Sequence, residues 1–439
     1  MQWRSHNKTI DVEGRFEVFM LDDKVTPSGG IVDAFGRLRI SDAFTVFDSQ
    51  HRYEDNNRWS TANTVNTSIT HNPNTSSLSL TVDDQANSEV IRETKKIFYY
   101  QPGKSLLVMN TFAMNPAKSG LRQRIGYFND QNGIFLEVDD TTAYLVLRSY
   151  STGSVQENRI AQTDWNIDRF DGTQFSSIQK KYDVRSDGVD AIDFTKSQIF
   201  WLDIEWLGVG DVRCGFVDGG ALKTAHIFHN ENVNDDTYMT TACLPLRYEI
   251  TNKTNTASSS TLKQICSTVV SEGGFNPDRR APTVSHGRDI NQTYTLASVG
   301  TFYNLATFRL TADHLDAILI PERISVMGDS NTNYQFKIVK DATFLTSTGN
   351  PINLAFVPSE DPALEYSITD AVVNTGDVID SGFIETKGEV TLTGLQLFQQ
   401  LERYLQVGGT YDRGTYTLAI SPGSQQAKVA GHIKWLRVV

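Results

Sequence analysis

Apolar and polar residues alternate over short stretches through most of this chain. "SLSLTVDD" (77–84), "KIFYY" (96–100), "SLLVMNTF" (105–112), "IFLEVDD" (134–140), "AYLVLRS" (143–149), "RYEI" (247–250) and "TYTLAI" (415–420) are β-rich runs separated at short intervals by turn-forming residues. A period of two places successive side chains on opposite faces of a strand. Many short strands with frequent turns predict sandwiches rather than βαβ units. One stretch breaks the pattern. In "LQLFQQLERYLQVGG" (395–409), Leu397, Phe398, Leu401, Tyr404 and Leu405 recur at helical spacing, and Gly408 and Gly409 can close a helix. The predicted class is therefore all-β: two antiparallel, jelly-roll-like β-sandwich domains, an extended N-terminal arm and one short helix in the C-terminal domain.

The domains divide at "SEGGFNPDRRAPTVSHGRD" (271–289), where glycine, proline and charge cluster without apolar periodicity. The expected boundaries are an arm over 1–50, a sandwich over 51–275, a linker over 276–289 and a second sandwich over 290–439. The arm, with "PSGGIVDAFGRLRISDAFTVFDS", is glycine-interrupted and weakly periodic. It reads as a segment docked on another subunit or as a strap across its own sandwich. In the C-terminal domain, "GTYTLAIS" is expected to pair with "AGHIKWLRVV", with Ile433, Trp435 and Arg437 sharing one face and Trp435 buried.

Composition narrows the function classes. With 39% hydrophobic residues, the 439-residue chain can bury more than one core, and its formal charge of −12 repels phosphate, so no nucleic-acid partner is expected. No apolar run is long enough to span a bilayer, and the start "MQWRSHNKTIDVEGRF" lacks a secretory h-region, so neither membrane insertion nor secretion is expected. Cys214, Cys243 and Cys266 have no metal-like spacing and read as small buried hydrophobes.

The richest chemistry lies in "IFWLDIEWLGVGDVRCGFVDGG" (199–220). Phe200, Leu202, Ile204 and Trp206 alternate onto one face, and Ile199, Trp201, Asp203, Glu205 and Leu207 onto the other. The glycines of "LGVGD" turn the chain into "VRCGFV", and "DGG" turns it again into "ALKTAHIFH". With a loop over 207–211, Glu205 falls opposite Arg213, a structural cross-strand ion pair. The strand also resembles the Glu-x-Asp-x-Glu signature of laminarinase-like glycoside hydrolases, which have a concanavalin-type sandwich. Asp203 and Glu205 match the second and third acidic positions of that signature, but Trp201 stands at its nucleophile. Retaining hydrolysis needs two carboxyl groups about 5–5.5 Å apart, and a tryptophan cannot form the glycosyl ester. No catalytic residue is therefore assigned.

Other candidates are weaker. "DVRSDGVDAID" (183–193) has the start of a calcium loop, but Arg185 fills a ligand position and Phe194 replaces the bidentate acid. His226 and His229 fall on opposite faces of a strand, so no metal site and no cofactor are expected. Trp59, Tyr150 and Trp165, next to polar stretches, are candidate glycan contacts.

Taken in order, "AFGRLRISDAFTVFDSQHRY", "IGYFNDQNGIFLEVDDTTAYLVLRS", "QTDWNIDRFDG", "IFWLDIEWLGVGDVRCGFV", "TYMTTACLPLRYEI" and "STLKQICSTVVSEGG" resemble a group of virion structural proteins of tailed bacteriophages, including phages of marine cyanobacteria. The resemblance covers roughly residues 30–275. It implies a non-enzymatic particle component of the neck, baseplate, fibre or capsid decoration, assembled in the host bacterial cytoplasm. Its implied partners are other phage virion proteins and copies of itself, as a trimer or hexamer. The alternative expectation is a carbohydrate-binding module for adsorption to host surface glycans, with glycoside hydrolysis third.

Overall fold

A computed structural model describes residues 43–172, 191–274, 283–329, 332–385, 387–391 and 400–437. Of residues 10–11, 17–21, 24–27, 283 and 387–391 it describes the backbone alone. Two compact units emerge: Met1–Thr94 with Tyr100–Pro277, and Lys95–Tyr99 with Asp278–Val439. No helix among the described residues is long and apolar enough to cross a membrane.

The first unit contains two antiparallel sheets. One runs Gln156–Ala161, Thr142–Ser149, Gly133–Asp139, Leu121–Phe128, Leu246–Asn252, Glu89–Thr94, Trp59–Asn63. The other runs Ala221–Phe228, Val212–Asp218, Gln198–Ile204, Ser105–Ala113, Ser260–Glu272, Ser77–Val82, Ser68–Asn72, with Phe44–Ser49 also paired to Ser260–Glu272. Alternation explains the inward faces: Ile125, Tyr127, Tyr248 and Ile250 of the first sheet, and Val108, Phe200, Leu202 and Val269 of the second, are fully buried. Tyr248 spans the layers, its hydroxyl 3.0 Å from Ser267 Oγ and 3.3 Å from the Thr111 carbonyl.

Two expectations change here. Phe44–Ser49 is an integral strand with Phe47 and Ser49 buried, so the supposed arm ends inside the sandwich. Ahead of it, Ile10–Asp11, Glu17–Leu21 and Lys24–Pro27 form a three-stranded antiparallel sheet that shares no ladder with the other described strands. "KIFYY" is not a strand. Its Ile97 carbonyl instead accepts a bond from Gln400 Nε2 at 3.0 Å, and the neighbouring Lys95 carbonyl accepts one from Arg403 N at 3.3 Å, all within the second unit.

The second unit has a five-stranded sheet built on Ala427–Arg437 and Leu319–Gly328, and a seven-stranded sheet built on Tyr334–Leu345 and Tyr303–Leu310. Tyr416–Pro422 pairs with Tyr303–Leu310 and Tyr334–Leu345, whereas Ala427–Arg437 pairs with Thr283–Arg288, Tyr294–Leu296 and Leu319–Gly328. The expected pairing of these two late segments is therefore wrong: they sit in different sheets and meet through side chains. Trp435 is fully buried, 5.2 Å from Phe308 and 6.4 Å from Tyr416 between ring centroids. The expected helix also fails where it is described. Arg403–Leu405 is a strand paired with Tyr411–Arg413 across a turn containing Gly408 and Gly409 in left-handed conformation. Leu397 and Phe398 lie outside the described residues. Leu401 and Leu405 are both buried, so an extended segment has satisfied the spacing that suggested a helix.

Candidate functional site

The acidic strand comes first. Gln198–Ile204 lies between Val212–Asp218 and Ser105–Ala113, in the interior of its sheet. The hairpin register sets Asp203 opposite Arg213 and Ile204 opposite Val212, so the predicted Glu205–Arg213 pairing does not form across the ladder. The turn is two residues longer than expected because it tightens on itself. Gly210 N donates to the Trp206 carbonyl at 2.7 Å, Leu207 and Gly208 adopt positive φ, and a Cβ on Gly210 would overlap the Glu205 carbonyl oxygen. Glu205 therefore belongs to the turn.

Asp203 is 1% exposed and accepts a hydrogen bond from Ser105 Oγ, while Glu205 is fully buried. Trp201, at the position that would hold a nucleophile, is buried with Nε1 donating to the Phe216 carbonyl at 3.2 Å. Burial, with a smaller contribution from the Glu205 charge, pushes the Tyr100 hydroxyl up to about 12. Neither carboxylate faces an open groove that could take a sugar ring.

The aromatic candidates separate. Trp59 is 4% exposed; Nε1 donates to Ser49 Oγ at 2.8 Å and the ring packs edge-on to Phe47 and Tyr248. Trp165 is 2% exposed and stacks on Phe216 at 6.0 Å. Both are core residues with no face left for a glycan, which corrects their assignment. Tyr150 is half-buried at a turn closed by Gly153 N donating to its carbonyl.

An exposed aromatic, Tyr53 at 87%, lies instead in the loop between Phe44–Ser49 and Trp59–Asn63. The Arg52 guanidinium lies 5.3 Å from its ring centroid, and Gln50, Glu54, Asn56, Asn57 and Arg58 complete an open groove of about 430 Å³. Buried groups hold this loop. The Arg92 guanidinium forms an ion pair with Asp55, donates to the Asn56 carbonyl at 3.4 Å and lies over Trp59. His51 is fully buried, and burial together with the Arg92 charge pushes its pKa down to about 4, so the ring is neutral near pH 7.

In the first unit, on the face of the sheet containing Leu121–Phe128, Gly133–Asp139 and Leu246–Asn252 that turns away from the core, arginine and glutamate form a closed network. Arg124 bonds Glu137 at 2.6 Å and approaches Glu249 at 3.4 Å; Arg122 and Arg247 approach Glu249 at 3.1 and 3.3 Å. Arg148 lies 4.9 Å from the Phe135 ring centroid and Arg247 5.4 Å from that of Phe128. These groups are already partnered within the sheet.

Among the described residues, metal-ligating residue types come together at one place. Asp211, His229 and Glu231 each offer a donor atom within 4.8 Å of the others. His226 stays apart: it is buried on Phe228, its Nδ1 accepts from Asn166 N at 3.2 Å, and burial pushes its pKa down to about 4. Residues 183–190 of the candidate calcium loop lie outside the described residues. Asp193, at its end, accepts bonds from Thr195 N and Oγ1 at 2.9 and 2.6 Å.

No family model and no curated protein matches the chain. Among solved structures, the Emp47p carbohydrate recognition domain is similar at 11% identity and TM-score 0.31, covering 52% of this chain and 96% of that one. A glycosyl hydrolase family protein from Mycobacterium fortuitum is similar at 8% identity and TM-score 0.34, covering 52% and 99%. A Shewanella oneidensis protein of unknown function is similar at 12% identity and TM-score 0.33, covering 55% and 92%. Similarity at this level has no bearing on what the chain binds or does.

Proposed function

We propose that the chain is a non-enzymatic structural component of a tailed-phage virion that acts through contacts between subunits. The observation that carries this reading is the three-stranded sheet over Ile10–Pro27, which shares no ladder with the other described strands. Three short strands are marginal in water without something to pack on, and open edges recruit further strands. A neighbouring subunit supplies both, and contacts of this head-to-tail kind close into rings such as trimers or hexamers. The buried positions of Asp203 and Glu205 support the non-enzymatic part of the reading. Mass spectrometry of purified particles of the encoding phage tests it: the chain should be present in multiple copies per virion, and its absence from washed particles would refute the reading.

A second reading has its own observation in Tyr53. An almost fully exposed ring beside amide and guanidinium groups, on a loop held by buried Arg92 and His51, is a platform for a pyranose face. On this reading the first unit also contacts a host surface glycan. Binding on a glycan array that is lost in Tyr53→Ala supports it, and an array without signal removes it.

A further inference from the structure

We propose that Asp211, His229 and Glu231 form a binding site for one divalent first-row transition ion, with zinc as the test case. The fold brings the three together. Val212 and Phe228 are register partners on adjacent strands, so Asp211 and His229 continue the pairing just past the end of the ladder. His229 Nδ1 lies 2.9 Å from Asp211 Oδ2. Asn230, between His229 and Glu231, is buried and donates from Nδ2 to the Gly210 carbonyl at 3.0 Å. That bond ties the segment bearing His229 and Glu231 to the residue preceding Asp211, so the backbone of the site is set before any ligand arrives.

Two geometric observations fit a cation. One donor atom of the Asp211 carboxyl and one of the Glu231 carboxyl lie within 4.8 Å of each other and of a His229 nitrogen. Two like charges that close repel, and a cation between them removes the repulsion. In addition, Asp211 Oδ1 is shielded from solvent and has no hydrogen-bond donor. A cation among the three groups resolves both.

The donor set chooses the ion. One imidazole nitrogen and two carboxylates suit a first-row transition ion better than calcium or magnesium, which prefer all-oxygen shells. Bonds of about 2.0–2.2 Å place donors about 3–3.5 Å apart. Donors already within 4.8 Å reach that by rotamer motion of His229 and Glu231, both exposed. The bound ion would clamp the turn at 206–211 to the segment that follows Ala221–Phe228 and leave coordination positions for water or for a group on another molecule.

The test is calorimetric titration of zinc chloride into the full chain, stripped with chelator and dialysed, at neutral pH. The expected result is saturable binding of one zinc per chain and a raised melting temperature. His229→Gln and Glu231→Gln, at exposed positions where folding is not at risk, should each weaken binding about tenfold or more. Millimolar magnesium should not compete. Absence of saturable binding, or unchanged affinity in either variant, would overturn the proposal.

Discussion

Glu249 is the residue through which the charge network of the first unit can be weighed. It lies on Leu246–Asn252, its side chain 4% exposed, within 3.4 Å of guanidinium nitrogens of Arg122, Arg124 and Arg247. Burial by itself would raise its pKa, but Arg247, Arg124, Arg122 and Arg148 together outweigh burial and hold it at about 2, against an ordinary 4.5. A depressed carboxylate contributes stability that is fully present above the unfolded pKa and is lost as pH falls through the folded one. A difference of roughly 2.5 units corresponds to about 3 kcal/mol, lost between about pH 4.5 and pH 2. Glu249→Gln leaves the buried arginines short of an anion, and removing one member of such a pair costs about 3–5 kcal/mol at neutral pH. Urea unfolding followed by tryptophan fluorescence, at neutral pH and near the acid limit, measures both effects. The wild type should exceed the variant by that amount at neutral pH, and the gap should shrink as pH falls below about 4.5. Glu89, raised by burial and by the Glu249 charge, titrates in the opposite sense; comparing wild type with variant therefore reports their net effect. A gap under about 1 kcal/mol, or one independent of pH, refutes the argument.

Three further outcomes follow from the packing. Trp435→Ala should destabilise the second unit by about 3–5 kcal/mol in calorimetry, because a fully buried ring against Phe308 and Tyr416 leaves a cavity; a loss below about 1 kcal/mol contradicts that packing. Gly210→Ala should cost about 1–3 kcal/mol, since its Cβ overlaps the Glu205 carbonyl oxygen and the turn must open; an unchanged melt would mean the turn is looser than described. Tyr53→Ala should change stability by less than about 0.5 kcal/mol, the range for an exposed side chain, so any loss of glycan binding reads directly on the ring.

The sheets were largely legible in the sequence because alternation is a local signal. "SLSLTVDD", "IFLEVDD" and "AYLVLRS" coincide to within one or two residues with strands Ser77–Val82, Gly133–Asp139 and Thr142–Ser149. Partner choice was not legible, because it is decided by distant chain. Tyr416–Pro422 and Ala427–Arg437 looked like a terminal hairpin, yet each finds strands far away in sequence. The hairpin after Ile204 showed its existence but not its register, since alternation does not reveal that Gly210 folds back on Glu205. Trp59 and Trp165 looked available because polar residues flank them, but their burial comes from Tyr248 and Phe216, distant in sequence. Tyr53 is the converse case: its exposure is set by a loop that Arg92, distant in sequence, holds through Asp55. The Asp211–His229–Glu231 cluster leaves no local signal: His229 has His226 beside it in sequence, but its partner Asp211 meets it only across the ladder.

If the chain assembles with other copies and with particle proteins as proposed, the sheet ahead of the first sandwich is the contact that does it. Sedimentation velocity on the full chain and on a chain lacking residues 1–42 tests it most directly. A closed trimer or hexamer is expected for the full chain, and a monomer with an unchanged β-rich far-ultraviolet spectrum for the shortened one. A full chain that remains monomeric at high concentration, or a shortened chain that assembles equally well, would contradict it.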